Sequence, residues 1–147
     1  MTNQNEIKII ESASSADEIS ECFPAMKELR PNLSLESFID RVSKQMNEVG
    51  YKLVFLRNNG EIKSLAGIRF SEWLFGGKFL EIDDLVSISD ERSKGFGGEL
   101  FDSIVDYARS KNCEHIRLVS HNRRKDAHRF YLNKSMSKEA SYFSLEV

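Results

Sequence analysis

The segment DLVSISDERSKGFGGELF, residues 84–101, joins an apolar run to an amphipathic helix through a basic, glycine-rich loop. Glycine loses more backbone freedom on folding than any other residue, so glycines in regular structure are costly. Three of them close together, Gly95, Gly97 and Gly98, indicate that another group approaches the backbone closely there. The first N–H groups of a helix have no partner inside the helix and carry partial positive charge, which favours a bound anion. The bare glycines and the neighbouring basic residues therefore predict a phosphate or pyrophosphate site. A solvated turn is the alternative interpretation.

Two other phosphate-binding motifs do not fit this loop. A Walker motif needs Gly-Lys followed by Ser or Thr, and no such run occurs in the sequence. A dinucleotide-binding fingerprint would have a third glycine where Leu100 stands, and it normally lies in an early strand–helix turn. The present loop instead follows a predicted meander of three strands.

Length and composition indicate one globular domain over residues 1–147. Of the 147 residues, 40% are hydrophobic and 30% are charged, with a formal net charge of -2. Nucleic-acid binding is not expected because the chain has no overall positive field, and no apolar run reaches the ~18 residues of a membrane span. No basic and then apolar run opens the sequence, so no secretory leader is expected. Cys22 and Cys113 predict reduced thiols in a cytoplasmic protein, and no metal site is expected.

Hydrophobic periodicity predicts the element order β-α-α-β-β-β-α-β-α-β. Ser15 and Ser34 are the predicted N-caps of the first two helices, Gly50 ends the second, and Asn59-Gly60 is typical of a hairpin turn. The predicted strands cover residues 7–12, 51–57, 61–70, 78–88, 115–120 and 140–147, and the predicted helices cover about 15–30, 34–50, 97–111 and 123–134.

The run Arg92-Ser93-Lys94-Gly95-Phe96-Gly97 resembles the Arg/Gln-x-x-Gly-x-Gly/Ala signature of the GNAT superfamily of acyl-CoA N-acyltransferases. Residues 83–113 are similar to the central strand, pyrophosphate loop and following helix of that family, and residues 115–136 to its next strand and helix. The resemblance implies an α/β (mixed α+β) fold in a single N-acetyltransferase domain. Its sheet would be mixed, mostly antiparallel, twisted and splayed at the coenzyme site, with about four flanking helices.

The resemblance also implies acetyl-CoA as co-substrate. The pantetheine arm would pair with the backbone of the strand at 80–88 like an added strand, and the glycine loop would hold the pyrophosphate. Ser87 departs from the apolar residue common in the family, and Ser135 from a frequent glycine. The residues assigned to the coenzyme are Leu85, Val86, Ser87, Arg92, Ser93, Lys94, Gly95, Phe96, Gly97, Gly98 and Asn122, the last from a basic patch otherwise expected to be a solvated face.

Acyl transfer to an amine requires a neutral amine, a stabilised oxyanion and a proton for the leaving thiolate. By the resemblance, Tyr131 would donate that proton, and packing against its aromatic neighbour is the alternative role. Glu81 or Asp83 would accept the amine proton through water, unless these acids serve only to pair with arginines. Strand alternation predicts that Glu81 and Asp83 share one face and that Asp84 lies on the other. The backbone N–H near Val86 would stabilise the oxyanion.

These assignments predict a cytoplasmic N-acetyltransferase that moves an acetyl group from acetyl-CoA to a primary amine by direct attack in a ternary complex. The acceptor would be a small molecule or peptide, with the acidic strand favouring a cationic one, and the chain could form a homodimer. Trp73, Leu74, Phe75 and Phe79 are expected in the core or a dimer face rather than in the acceptor site. The alternatives are a non-catalytic acyl-CoA-binding sensor or regulatory module, and an interaction protein that uses an exposed strand edge.

Overall fold

The computed structural model describes residues 8–88 and 95–147, which form one five-stranded sheet and four helices. The strands follow the order β1-β2-β3-β4-β5, and the pairs β1–β2, β2–β3 and β3–β4 are antiparallel. This architecture confirms the predicted fold class. In chain order the elements are β1 (Lys8–Ser12), α1 (Ala16–Leu29), α2 (Leu35–Val49), β2 (Lys52–Asn58), β3 (Glu61–Trp73), β4 (Gly77–Ser87), α3 (Phe96–Ser110), β5 (His115–Leu118) and α4 (Lys125–Asn133).

Two capping serines and one glycine fix the start of α1 and both ends of α2. The Ser15 hydroxyl accepts a hydrogen bond from the N–H of Glu18 at 3.2 Å, and the Ser34 hydroxyl accepts one from Ser37 at 3.1 Å. Gly50 ends α2 with φ of 68°. All three predicted boundaries are therefore confirmed, because each depends on one side chain or one backbone angle within a single turn.

The chain divides into two compact units, one up to Arg117 and one over Leu118–Val147. In the first unit, α1 and α2 pack on one face of the sheet with Leu65 and Val86, which belong to the main apolar cluster. Their neighbours Ser64 and Ser87 face α3. Because side chains alternate along a strand, α3 lies on the opposite face of the sheet from α1 and α2.

The second unit contains α4 and a terminal segment that has neither helix nor strand over residues 137–147. The predicted strand at 140–147 is therefore wrong. Apolar and polar residues do alternate in this segment, yet the apolar Phe143, Leu145 and Val147 are exposed. A strand exists only where another strand completes its hydrogen bonds, and the described structure pairs none with this segment.

Candidate coenzyme and acyl-transfer site

The end of β4 packs directly against the first turn of α3. A Cβ atom built on Gly97 would lie 2.6 Å from the Ser87 hydroxyl oxygen, so a side chain at this position would force that hydroxyl to move. From β3, the fully buried Ser64 hydroxyl donates to the carbonyl oxygen of Phe96 at 3.0 Å. The structure therefore brings together Ser87, Phe96 and Gly97, three of the residues assigned to the coenzyme.

Gly95 begins α3 in the left-handed region, with φ of 84° and ψ of 4°. This conformation is costly for residues with a Cβ, and Gly95 brings no side chain to cap the helix. The first-turn N–H groups of such a helix suit an anion, as the sequence predicts. The other members of the loop signature, Arg92, Ser93 and Lys94, lie outside the described residues.

The strand β5 runs parallel to β4 and is much shorter. The N–H of Glu114 donates to the carbonyl oxygen of Lys78 at 2.8 Å, and the Arg117 side chain forms an ion pair with Glu81. From the first contact to the second, both chains advance by three residues toward their C-terminal ends. The two strands therefore run parallel. With its antiparallel pairs, the sheet is mixed, as predicted.

Because β5 ends at Leu118, one residue after Arg117, it does not extend alongside the last residues of β4. Leu85, Val86 and Ser87 lie in that last stretch, and on their other side they pair with β3. Past Leu118, the described strands include no partner on this side of β4, and this is the edge along which the pairing with a pantetheine arm is predicted.

A β-bulge interrupts β4 at Asp83. In the pairing with β3, Gly67 lies opposite Asp84 whereas Ile68 lies opposite Ile82, so Asp83 is an extra residue. The simple alternation predicted for the acidic residues is therefore wrong at this point, because an inserted residue shifts the side-chain pattern by one position.

All three acidic residues of β4 are paired with arginines. The pairs are Glu81 with Arg117, Asp83 with Arg69 at 2.8 Å, and Asp84 with Arg30 at 3.0 Å. The charge of each carboxylate is compensated locally, so the acidic strand no longer argues for a cationic acceptor. A carboxylate that is paired with an arginine is still ionised and can accept a proton, so the pairing does not exclude these residues as proton acceptors.

Glu81 has the most unusual environment of the three acids. Only 5% of the residue is exposed, and this desolvation raises the pKa of its carboxyl, against the opposing effect of the Arg117 and Arg69 charges. A raised pKa brings a carboxylate closer to the range in which a general base works at neutral pH.

The Arg117 partner is itself held by aromatic rings. Its guanidinium carbon lies 3.7 Å from the centre of the Trp73 ring and 4.9 Å from that of Phe79. Phe79 is buried, as expected for a core residue, whereas Leu74 and Phe75 at the tip of the β3–β4 hairpin are exposed. The aromatic pair thus positions the arginine next to Glu81, a role that the sequence did not reveal.

Tyr51 is a second buried polar residue that sequence reasoning missed. Its hydroxyl donates to Asp84 Oδ2 at 3.0 Å, and 4% of the residue is exposed. Burial first, and then the negative charge of Asp84, raise the pKa of the phenol above its ordinary range, so Tyr51 stays a hydrogen-bond donor at neutral pH. Nothing in the sequence indicates this contact, since 33 positions separate its two residues.

A cavity of about 570 Å³ lies beside this pair of residues. Its walls come from the end of α1, the α1–α2 connection, α2, Tyr51 and Asp84. The volume falls within the range of small-molecule pockets, roughly 300–1,000 Å³. Asp84 therefore faces a space large enough for a substrate and directly precedes the β4 stretch assigned to the coenzyme.

The remaining predicted residues belong to the second unit. Tyr131 lies on α4, half-buried, with its ring centre 5.6 Å from that of Phe130 in an edge-on arrangement. Asn122 is exposed in the turn before α4. In that unit a ring nitrogen of His128 lies 3.0 Å from the carbonyl oxygen of His121. The roles of Tyr131 and Asn122 stay predictions.

The Cys22 thiol offers no nucleophile at this site. Cys22 is fully buried, and desolvation raises its pKa to about 12, so it stays protonated and unreactive. Within residues 8–88 and 95–147, no cluster of three or more His, Cys, Asp or Glu side chains could hold a metal ion. Among the helices of these same ranges, none has the length and apolar character needed to cross a membrane.

Comparison with known sequences connects this geometry to one family. The sequence model of the Acetyltransferase (GNAT) family matches residues 15–136. The uncharacterized N-acetyltransferase YhdJ of Bacillus subtilis (strain 168) is 38% identical over 120 residues, which cover 82% of this chain and 84% of YhdJ.

Solved structures show the same fold. The aminoglycoside N-acetyltransferase AAC(6')-Iy in complex with CoA is similar with a TM-score of 0.84 at 9% identity, covering 99% of both chains. A GNAT family acetyltransferase of Staphylococcus aureus subsp. aureus USA300_TCH1516 gives a TM-score of 0.79 at 19% identity, covering 95% of this chain and 98% of its own. With the family match over most of its length, the chain belongs to the GNAT acetyltransferase family and is an acyltransferase that uses an acyl-CoA.

Proposed function

We propose that this protein transfers an acetyl group from acetyl-CoA to the primary amine of a small molecule or peptide, by direct attack within a ternary complex. The observation that carries the proposal is the β4–α3 junction, where β4 continues past β5 and ends against Gly97. One strand thus offers a backbone edge for an extended arm and leads to a helix start suited to a diphosphate.

The coenzyme would be held chiefly by main-chain groups. Leu85, Val86 and Ser87 would pair with the pantetheine arm, and when bound the coenzyme supplies the activated acyl thioester. The residues proposed for its phosphates are Arg92, Ser93, Lys94, Gly95, Phe96, Gly97, Gly98 and Asn122. Bare glycines fit this role because side chains there would hold the phosphates away from the amides.

The chain's own groups would carry the proton transfers. The Val86 N–H would donate to the acyl oxygen as negative charge develops on it. Glu81 would accept the amine proton through water, because its desolvated carboxylate has a raised pKa, and Asp83 is the second candidate. Tyr131 would donate a proton to the departing thiolate.

The two compact units would form one acetyltransferase domain, since the family match over residues 15–136 spans the boundary at Arg117. The two cysteines of the chain are both free, which supports the proposed cytoplasmic location. A homodimer is proposed as well, because Leu74 and Phe75 expose large apolar side chains at a hairpin tip.

The test separates catalysis from mere binding. Calorimetry should show that acetyl-CoA binds the full chain, and that acetyl-pantetheine, which lacks the diphosphate, binds much more weakly. Release of CoA thiol should then depend on an added amine. Binding without amine-dependent release over a broad panel would indicate the alternative, an acyl-CoA sensor or regulatory module. Failure to bind acetyl-CoA at millimolar concentration would refute both.

A further inference from the structure

The cavity next to Asp84 has a composition that identifies a class of acceptor. We infer that it binds an amine that also carries an apolar body and a carboxylate, such as an apolar amino acid or a short peptide. This inference rests on the proposed function, because Asp84 directly precedes Leu85 on the β4 stretch assigned to the coenzyme. An acceptor in the cavity would therefore reach the strand along which the thioester is proposed to lie.

About half of the cavity wall is apolar. Side chains from the end of α1, the α1–α2 connection and the inner face of α2 form it, and they include Met26, Leu29, Leu33, Phe38 and Val42. Phe38 and Val42 are themselves buried and fix the shape of the wall. An apolar side chain of the ligand would lose water against this surface, and the burial of apolar area favours binding.

A row of polar side chains completes the wall along α2. Ser37, Arg41 and Gln45 are spaced four residues apart, so they lie one above the other on a single helix face. Within residues 8–88 and 95–147, Arg41 forms no ion pair, and neither the Ser37 hydroxyl nor the Gln45 amide has a hydrogen-bond partner. Their donors remain available to a ligand, and a guanidinium matches a carboxylate with two parallel hydrogen bonds.

The other charges of the cavity compensate each other. Arg30 contacts Asp84 Oδ1 at 3.0 Å, and the Tyr51 hydroxyl donates to the second oxygen. Among the charged lining residues that the structure describes, Arg41 is the one without an oppositely charged partner. A polyamine or aminoglycoside would add positive charges to a positive cavity, whereas an amino acid brings a carboxylate that balances Arg41.

The binding test uses two ligands that differ only in the carboxylate and contain no amine that can react. N-acetyl-L-leucine should bind the full chain at least about tenfold more tightly than N-acetyl-L-leucinamide, as a charge-assisted contact implies. Arg41→Gln should remove this difference. Arg109→Gln, an equivalent change of an exposed arginine on α3, should preserve it. Equal binding of the two ligands, or a preference that survives Arg41→Gln, would overturn the inference.

A kinetic test separates this inference from the proposed function. L-leucine and isoamylamine share an amine and an apolar body, and only leucine has the carboxylate. Arg41→Gln should raise the KM for leucine about tenfold, with kcat and acetyl-CoA binding unchanged and no effect on isoamylamine. An enzyme that prefers isoamylamine would contradict the inference and leave the proposed function intact. A protein that binds N-acetyl-L-leucine but no acetyl-CoA would support the cavity assignment and refute the proposed function.

Discussion

The ring of Tyr51 lies directly on the backbone of Gly67. A Cβ atom built on Gly67 would stand 1.8 Å from the Tyr51 hydroxyl oxygen and 2.4 Å from the ring carbon that bears it. Gly67 lies opposite Asp84 in the pairing of β3 with β4, and Asp84 accepts the hydrogen bond from Tyr51. The absence of a side chain at one position of β3 therefore lets a phenol reach the bulged strand next to the candidate site.

Gly67→Ala is expected to lower the free energy of unfolding by about 3 kcal/mol, because the added methyl group overlaps a buried ring that cannot move aside freely. Urea unfolding measures the loss. Gly60→Ala is the control: Gly60 has φ of 83° but no atom within 4 Å of its virtual Cβ, so it should lose only about 1 kcal/mol from backbone conformation. Equal losses in the two variants would show that Tyr51 adapts.

Tyr51→Phe should change how stability depends on alkaline pH. The pKa of Tyr51 is raised in the folded protein, so the unfolded chain, with a tyrosine pKa near ~10, loses this proton first. The free energy of unfolding should therefore fall as pH rises above about 10, and Tyr51→Phe should reduce that slope. Tyr142→Phe, an exposed tyrosine, is the control and should leave the slope unchanged. Parallel losses of stability in Tyr51→Phe and wild type would contradict a raised pKa at Tyr51.

Glu81→Gln and Asp83→Asn should have unequal effects on turnover. If Glu81 is the base, its replacement should lower kcat by roughly 10²-fold and remove the rise in rate with pH that its raised pKa produces. Asp83→Asn should keep most of the activity. Both substitutions are isosteric. Circular dichroism checks that each variant still folds when Arg117 or Arg69 loses its charged partner. The reverse ranking of the two variants would transfer the role to Asp83.

Tyr131→Phe should lower kcat by roughly 10²-fold and leave the KM for acetyl-CoA almost unchanged, because a proton donor acts on the leaving thiolate and not on coenzyme binding. Steady-state kinetics with the best amine of the panel measures this separation. The exposed Tyr142 again provides the control through Tyr142→Phe. Wild-type turnover in Tyr131→Phe would leave Tyr131 with a packing role beside Phe130.

The features predicted correctly from the sequence depend on neighbours along the chain. Ser34 caps α2 through the N–H three residues further on, and Gly50 ends the same helix. Ser135, where the family resemblance implies a frequent glycine, has φ of 68°, so a serine takes the left-handed conformation there.

The features that the sequence did not reveal depend on partners far along the chain. The strand expected at 140–147 has no paired neighbour, and the bulge at Asp83 appears only in register with β3. The contact of Tyr51 with Gly67 and Asp84 joins the residue before β2 to β3 and β4, so neither periodicity nor a local motif predicts it. The cavity beside Asp84 arises in the same way, from α1, α2 and β4 together.

The most direct measurement is calorimetric titration of acetyl-CoA into wild type, Ser87→Ala, Gly97→Ala and the double variant. Gly97→Ala introduces a methyl group 2.6 Å from the Ser87 hydroxyl oxygen, and Ser87→Ala removes that collision. If the bare backbone at Gly97 serves the diphosphate, Ser87→Ala should bind like wild type, and the double variant should remain at least about tenfold weaker, a cost of ~1.4 kcal/mol. Wild-type affinity in the double variant, or no heat of binding in wild type at millimolar acetyl-CoA, would contradict the coenzyme site at this junction.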